Sequence, residues 1–156
     1  MIKDFIFLLI VAYCEPARCG FKTRWSDWRG RDRFNLDYFP TGSTTYKDKN
    51  KQVGKEPDVS FCFDRLKDIP DLAVEVVFSS GSTNDLQKYQ KLGVKEVWFW
   101  INNCLEIYVL ADGSYQQQDS FHLHKIESKL LTKYIAKALT DNPRLLKQGF
   151  LSEIGD

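Results

Sequence analysis

At 156 residues, with 43% hydrophobic, 28% charged and 14% aromatic side chains, the chain amounts to one domain with enough apolar content to bury a core. Nine glycines, five prolines and the absence of any sustained heptad exclude a collagen-like, coiled-coil or disordered chain. A formal net charge of +1 excludes a global basic field, yet residues 1–57 carry 11 Lys/Arg against 7 Asp/Glu and residues 58–110 carry 5 against 8. A basic flank beside an acidic centre suits a polyanion held near a metal ion.

The first element is apolar. Phe5-Ile-Phe-Leu-Leu-Ile-Val-Ala-Tyr13 follows Lys3 and has the look of a short secretory signal, which would make this a small exported protein. It is too short to span a bilayer, which takes about 20 apolar residues. Asp4 breaks the positive leader and Tyr13 is bulky for a cleavage site, so the pattern favours a buried first helix. Residues 15–57 have little periodicity. One or two strands are expected around Asp32–Phe39, then a turn at Pro40-Thr-Gly-Ser43 and a polar loop at 47–56.

Beyond Pro57 the signal sharpens. Val59–Phe63 alternates as a strand does, and Leu72–Phe78 is the near-continuous β-rich run of a strand buried on both faces. A helix is predicted at about 83–92, closed by Gly93. Strands follow at Glu96–Ile101 and Leu105–Leu110, joined by an Asn102-Asn103 hairpin turn. A C-terminal helix at about 126–139 has apolar spacing suited to packing across the sheet. The order predicts one α/β domain over residues 1–156, a mixed β-sheet flanked by helices.

The chemistry lies on two of these strands. Asp58 opens one, and Glu75 sits amid Ala73-Val74 and Val76-Val77 in the next. A carboxylate in a buried strand is costly unless it pairs with a Lys or Arg or binds a cation, and both readings stay open. Two carboxylates on neighbouring strands suit Mg²⁺, which polarises a phosphodiester and acidifies an attacking water.

Pro57-Asp58, with Glu75 inside Asp71-Leu-Ala-Val-Glu-Val-Val77, resembles the PD-(D/E)xK nuclease signature. The ordered set Ser79-Ser-Gly-Ser, Tyr89 and Gly93-Val94-x-Glu96-Val97-Trp98 resembles the family of restriction endonucleases within that superfamily, most strongly over residues 41–110. The resemblance implies a restriction-endonuclease-like fold and an endodeoxyribonuclease that hydrolyses DNA with Mg²⁺, or Mn²⁺, held by Asp58 and Glu75. It also implies a lysine that orients the attacking water. Two departures stand out. The signature's lysine position is Val77, and the alternative position on the next helix, four residues before Tyr89, is Asp85. Lys88, three residues from Asp85 and able to share its helix face, is the candidate ammonium. The resemblance further implies an N-terminal strand or hairpin with another acidic residue ahead of the first helix. Its lack here predicts a fold short of part of that layer and an exposed flank on the Phe5–Tyr13 helix. With those departures, a catalytically inactive relative that binds nucleic acid, or has no enzymatic role, is the alternative.

Several other features carry competing readings. His122-Leu-His124 would place two rings on one side of a strand, but with no third ligand a surface role is expected. Trp25 and Trp28 interleaved with Arg24, Arg29, Arg31 and Arg33 suit either a nucleic-acid surface or a solvated loop. Trp98, Phe99 and Trp100 read as core or dimer interface, and Tyr89 as a helix residue packed on the sheet. Cys14, Cys19, Cys62 and Cys104 lack zinc-ligand spacing, and Cys62 and Cys104 lie in apolar runs where burial is expected. Reduced thiols, the poor export signal and no membrane span predict a cytoplasmic protein, with a homodimer suited to cutting both DNA strands.

Overall fold

The computed structural model describes residues 1–14, 36–78, 83–124 and 126–155. Helix α1 (Ile2–Cys14) precedes strand β1 (Tyr38–Pro40) and a small hairpin of β2 (Tyr46–Asp48) and β3 (Val53–Lys55). Strands β4 (Val59–Phe63) and β5 (Leu72–Val76) lead through helix α2 (Thr83–Leu92) to β6 (Glu96–Ile101), β7 (Cys104–Ala111) and β8 (Ser114–Gln117). Helices α3 (Ser128–Ala136) and α4 (Pro143–Gly155) follow.

Six strands form one mixed sheet in the order β1-β4-β5-β6-β7-β8, and β2-β3 stands apart as a second, two-stranded sheet. Among the described strands only β5 and β6 run parallel, and the helical crossover α2 joins them. The neighbouring ladders β4–β5 and β6–β7 are antiparallel. The two closing hairpins turn on residues that tolerate positive φ: Asn102 and Asn103 at 51° and 56°, and Asp112 and Gly113 at 51° and 81°. Gly93 (φ 79°) ends α2 by donating its N–H to the Tyr89 carbonyl at 2.9 Å.

Period-two alternation divides the strands' side chains between two cores. One face carries Phe61, Leu72, Val74, Trp98 and Ile107 beneath α1, α3 and α4. The other carries Ala73, Val97 and Phe99 beneath Tyr89 and Leu92 of α2 and Tyr46 of the hairpin. With layers on both sides, β4 is buried at every position, and Trp98, Phe99 and Trp100 are core residues.

Several expectations need correction. The polar stretch at 47–56 is the β2–β3 hairpin and not a loop. The strand expected around Asp32–Phe39 is seen as β1 at Tyr38–Pro40, and residues 32–35 lie outside the described residues. The helix expected at 126–139 is the shorter α3, with α4 beyond it. The flank expected on α1 is covered in part: Ile6, Leu9 and Ile10 are buried, with Leu146 and Phe150 of α4 in the same core, whereas Phe7, Leu8 and Val11 are half-buried. Cys104 is exposed where β7 leaves its turn, whereas Cys62 and Cys14 are buried. Among the described residues no helix is long and apolar enough to cross a membrane.

Because Leu9 is enclosed, Leu9→Ala is expected to lower stability by about 2–5 kcal/mol through lost burial and the cavity left behind. Urea unfolding would show this as a lower midpoint at unchanged slope. An unmoved midpoint would remove α1 from the core.

Candidate active site

The α2 face of the sheet, at the end of β5 where the crossover leaves, gathers the polar side chains of Lys55, Asp58, Glu75, Asp85 and Tyr89. Val59 pairs with Val74 in the β4–β5 ladder, so Asp58 comes one step further, opposite Glu75 and on the same face. The Asp58 Oδ2 accepts the Val76 backbone N–H at 2.8 Å, which satisfies β5 where the ladder ends and fixes the carboxylate beside Glu75.

Glu75 is 8% exposed. Its Oε1 accepts the Tyr89 hydroxyl at 2.5 Å and lies 2.8 Å from the Lys55 Nζ. The same Nζ is 3.2 Å from Asp85 Oδ2 in the first turn of α2. Among the described residues nothing is bonded to Oε2 of Glu75 or to Oδ1 of Asp58. The Tyr89 phenol is pushed far above its ordinary value, first by burial, then by Glu75, and more weakly by Asp85 and Asp58. It therefore stays a hydrogen-bond donor to Glu75. Burial alone would lower the Lys55 ammonium, but its bonds to Glu75 and Asp85 outweigh that and hold it above the usual lysine value.

A second buried glutamate marks the contrast. Glu96, on the opposite face, is fully buried and has both oxygens filled. Oε1 accepts Trp98 Nε1 and Ser120 Oγ, each at 2.6 Å, and Oε2 accepts the His122 backbone N–H at 3.0 Å and its ring Nδ1 at 2.9 Å. Saturated in this way, Glu96 is a structural anchor. Glu75 pairs with Lys55 through Oε1, and its other oxygen has no partner among the described residues.

The other sequence-singled residues fall as follows. Lys88 reaches Asp85 Oδ1 at 3.5 Å with its side chain 50% exposed, and it makes no contact with Glu75 or Asp58. Val77 packs against the apolar core of the α2 face. His122 and His124 do not share a strand: they lie in the loop between β8 and α3, with His122 tied to Glu96. The Trp25, Trp28 and arginine cluster lies outside the described residues. Lys55, which sequence reasoning passed over, sits on a three-residue strand too short to show a period. The faint signal was an apolar Tyr46 and Val53 on either side of a polar Asp48–Lys51 turn.

The donor set suits an oxygen-preferring divalent cation. Among the described residues no three or more His, Cys, Asp or Glu are arranged around one ion position. Mg²⁺ commonly takes only one or two carboxylates and completes its shell with water and substrate phosphate, and Asp58 and Glu75 are the residues here that could hold it. Asp85 is committed to Lys55.

A mixed sheet with one parallel crossover, helices on both faces and an acidic pair at the crossover end defines the restriction-endonuclease-like class. The family model described as "Putative restriction endonuclease" (Uma2) matches residues 23–135, and the chain belongs to that family, within the PD-(D/E)xK superfamily. Among curated proteins none matches the sequence.

Proposed function

We propose that the protein is a Mg²⁺-dependent endodeoxyribonuclease, able to use Mn²⁺, that hydrolyses phosphodiester bonds of DNA in the cytoplasm and works as a homodimer. One observation carries the reading: within a nuclease-family core, Asp58 and Glu75 stand side by side, and each holds one oxygen without a partner among the described residues. Bound between them, Mg²⁺ would offset phosphate charge and make an attacking water more acidic. The chain's own groups do the rest. The Val76 N–H fixes Asp58, and the Tyr89 hydroxyl fixes Glu75. The family pattern calls for an ammonium beside this pair; Lys88, the sequence candidate for it, contacts Asp85 and neither Glu75 nor Asp58.

A second reading, a nuclease-fold relative that binds nucleic acid without cutting, is favoured by the apolar Val77 and acidic Asp85 at the two usual lysine positions. Incubating the purified chain with supercoiled plasmid and Mg²⁺ or Mn²⁺ separates the two. Nicking that stops on chelation supports the nuclease. Asp58→Asn keeps an acceptor for Val76 but removes the charge, and is expected to slow nicking by about 10²–10³-fold. No nicking by a folded chain supports the inactive relative.

A further inference from the structure

We infer that Lys55, delivered by the β2–β3 hairpin, is the positioning ammonium of this site, and that Lys88 is not. The assignment rests on the nuclease reading above and deepens it. Among the described residues Lys55 is the cation in contact with Glu75, at 2.8 Å, and it is shared with Asp85 at 3.2 Å. Its side chain is only 18% exposed, against 50% for Lys88. An ammonium has three N–H donors. Two are directed at Glu75 and Asp85, which leaves the third for a water or a phosphate oxygen. By occupying Oε1 the lysine also fixes which Glu75 oxygen remains open.

The hairpin is built to hold this lysine in place. Tyr46, directly across the ladder from Lys55, donates its hydroxyl to Thr41 Oγ1 at 2.7 Å and lies 2.9 Å from Ser60 Oγ of β4. Ser60 passes the chain of hydroxyls on to the Gly42 carbonyl at 2.8 Å. At the other end Lys51 donates to the Lys91 carbonyl of α2, also at 2.8 Å. The hairpin is thus pinned both to the sheet and to the helix that bears Asp85. The resulting charge arrangement has the acid on the helix and the base on the hairpin. It explains how an aspartate at position 85 is compatible with an intact site: the site keeps one ammonium, supplied from a different element.

The test compares K55M, K55R, K88M and the double variant K55M/D85K, with thermal melting as the control for folding. Plasmid nicking should slow by about 10²-fold in K55M at unchanged DNA affinity, the penalty of a misplaced catalytic carboxylate, and stay near wild type in K88M. K55R, a donor that cannot act as a base, should recover part of the rate without shifting the pH profile. K55M/D85K, which moves the ammonium onto α2, should recover about tenfold over K55M. Mn²⁺ titration is the second readout: removing a neighbouring positive charge should tighten Mn²⁺ by about fivefold in K55M and leave K88M unchanged. Slow nicking by K88M with normal nicking by K55M overturns the assignment. If K55M fails to fold, K55R and the double variant decide, and failure of both to nick overturns it. If the folded wild type does not nick, the nuclease reading falls. The Mn²⁺ arm then judges Lys55 alone: tighter binding in K55M upholds it, and unchanged or absent binding overturns it.

Discussion

On the proposed nuclease reading, Glu75→Ala is expected to reduce metal-dependent cleavage by about three orders of magnitude or more, because it removes one of the two carboxylates proposed to hold the cation and several kcal/mol of transition-state stabilisation with it. The loss of function should exceed the loss of stability. Two effects on the fold oppose each other. The Tyr89 hydroxyl loses its acceptor and Lys55 keeps only Asp85, which costs about 1–3 kcal/mol for an unsatisfied buried donor. Against this, a buried carboxylate no longer has to be desolvated. Glu75→Gln refines the measurement, since its amide oxygen still accepts from Tyr89 while the charge is gone. Both variants should melt close to wild type, bind Mn²⁺ weakly and fail to nick plasmid. Nicking at the wild-type rate by Glu75→Ala would remove this residue from the chemistry.

Glu96→Ala is expected to do the reverse and cost stability in place of chemistry. It strands four donors at once: the Trp98 indole, the Ser120 hydroxyl, and the His122 backbone and ring N–H groups. Breaking one side of such a buried network typically costs about 3–5 kcal/mol, roughly a 10 °C fall in melting temperature for a domain this size. The pH dependence has a definite sign. Burial by itself would raise the Glu96 carboxyl, but the bonds from His122, Ser120 and Trp98 outweigh it and hold the group below the ordinary glutamate value. A depressed folded value contributes stability that is complete above the unfolded value of about 4.3 and is lost as pH falls through the folded one. Wild type should therefore lose stability progressively below about pH 4, and Glu96→Gln should lack that part of the acid slope. Equal melting of wild type and Glu96→Ala at neutral pH would contradict the anchoring role.

The legible parts of this molecule are those where a long pattern meets a physical cost. Strand β6 and helix α2 could be delimited from sequence because Glu96–Ile101 has six consecutive strand positions and α2 closes on a glycine at positive φ. Glu75 was legible because a carboxylate amid Ala-Val and Val-Val demands a partner. Its partner was not, since Lys55 belongs to a strand of three residues whose identity comes from packing on α2 and from Tyr46 bonding to Ser60. Strand β8 was missed although Asp112-Gly113 carries the same hairpin signal as Asn102-Asn103, because Ser114–Gln117 is polar and lies at the sheet edge. The saturation that separates Glu96 from Glu75 depends on a loop more than twenty residues downstream, which no local pattern reveals.

The pairing of α1 with α4 has a consequence for how the chain folds. The most apolar segment is sheltered by the last helix, and Tyr13 Oη is bonded to the His124 carbonyl 111 positions away. Closing contacts of that span must pay loop entropy before any burial is returned. Until α4 docks, the side of α1 that faces it, on a helix with the composition of an export signal, stands uncovered. The interval between forming the sheet and seating α4 is when the chain is most open to misrouting and aggregation. Cutting the chain ahead of Pro143 would make that interval permanent.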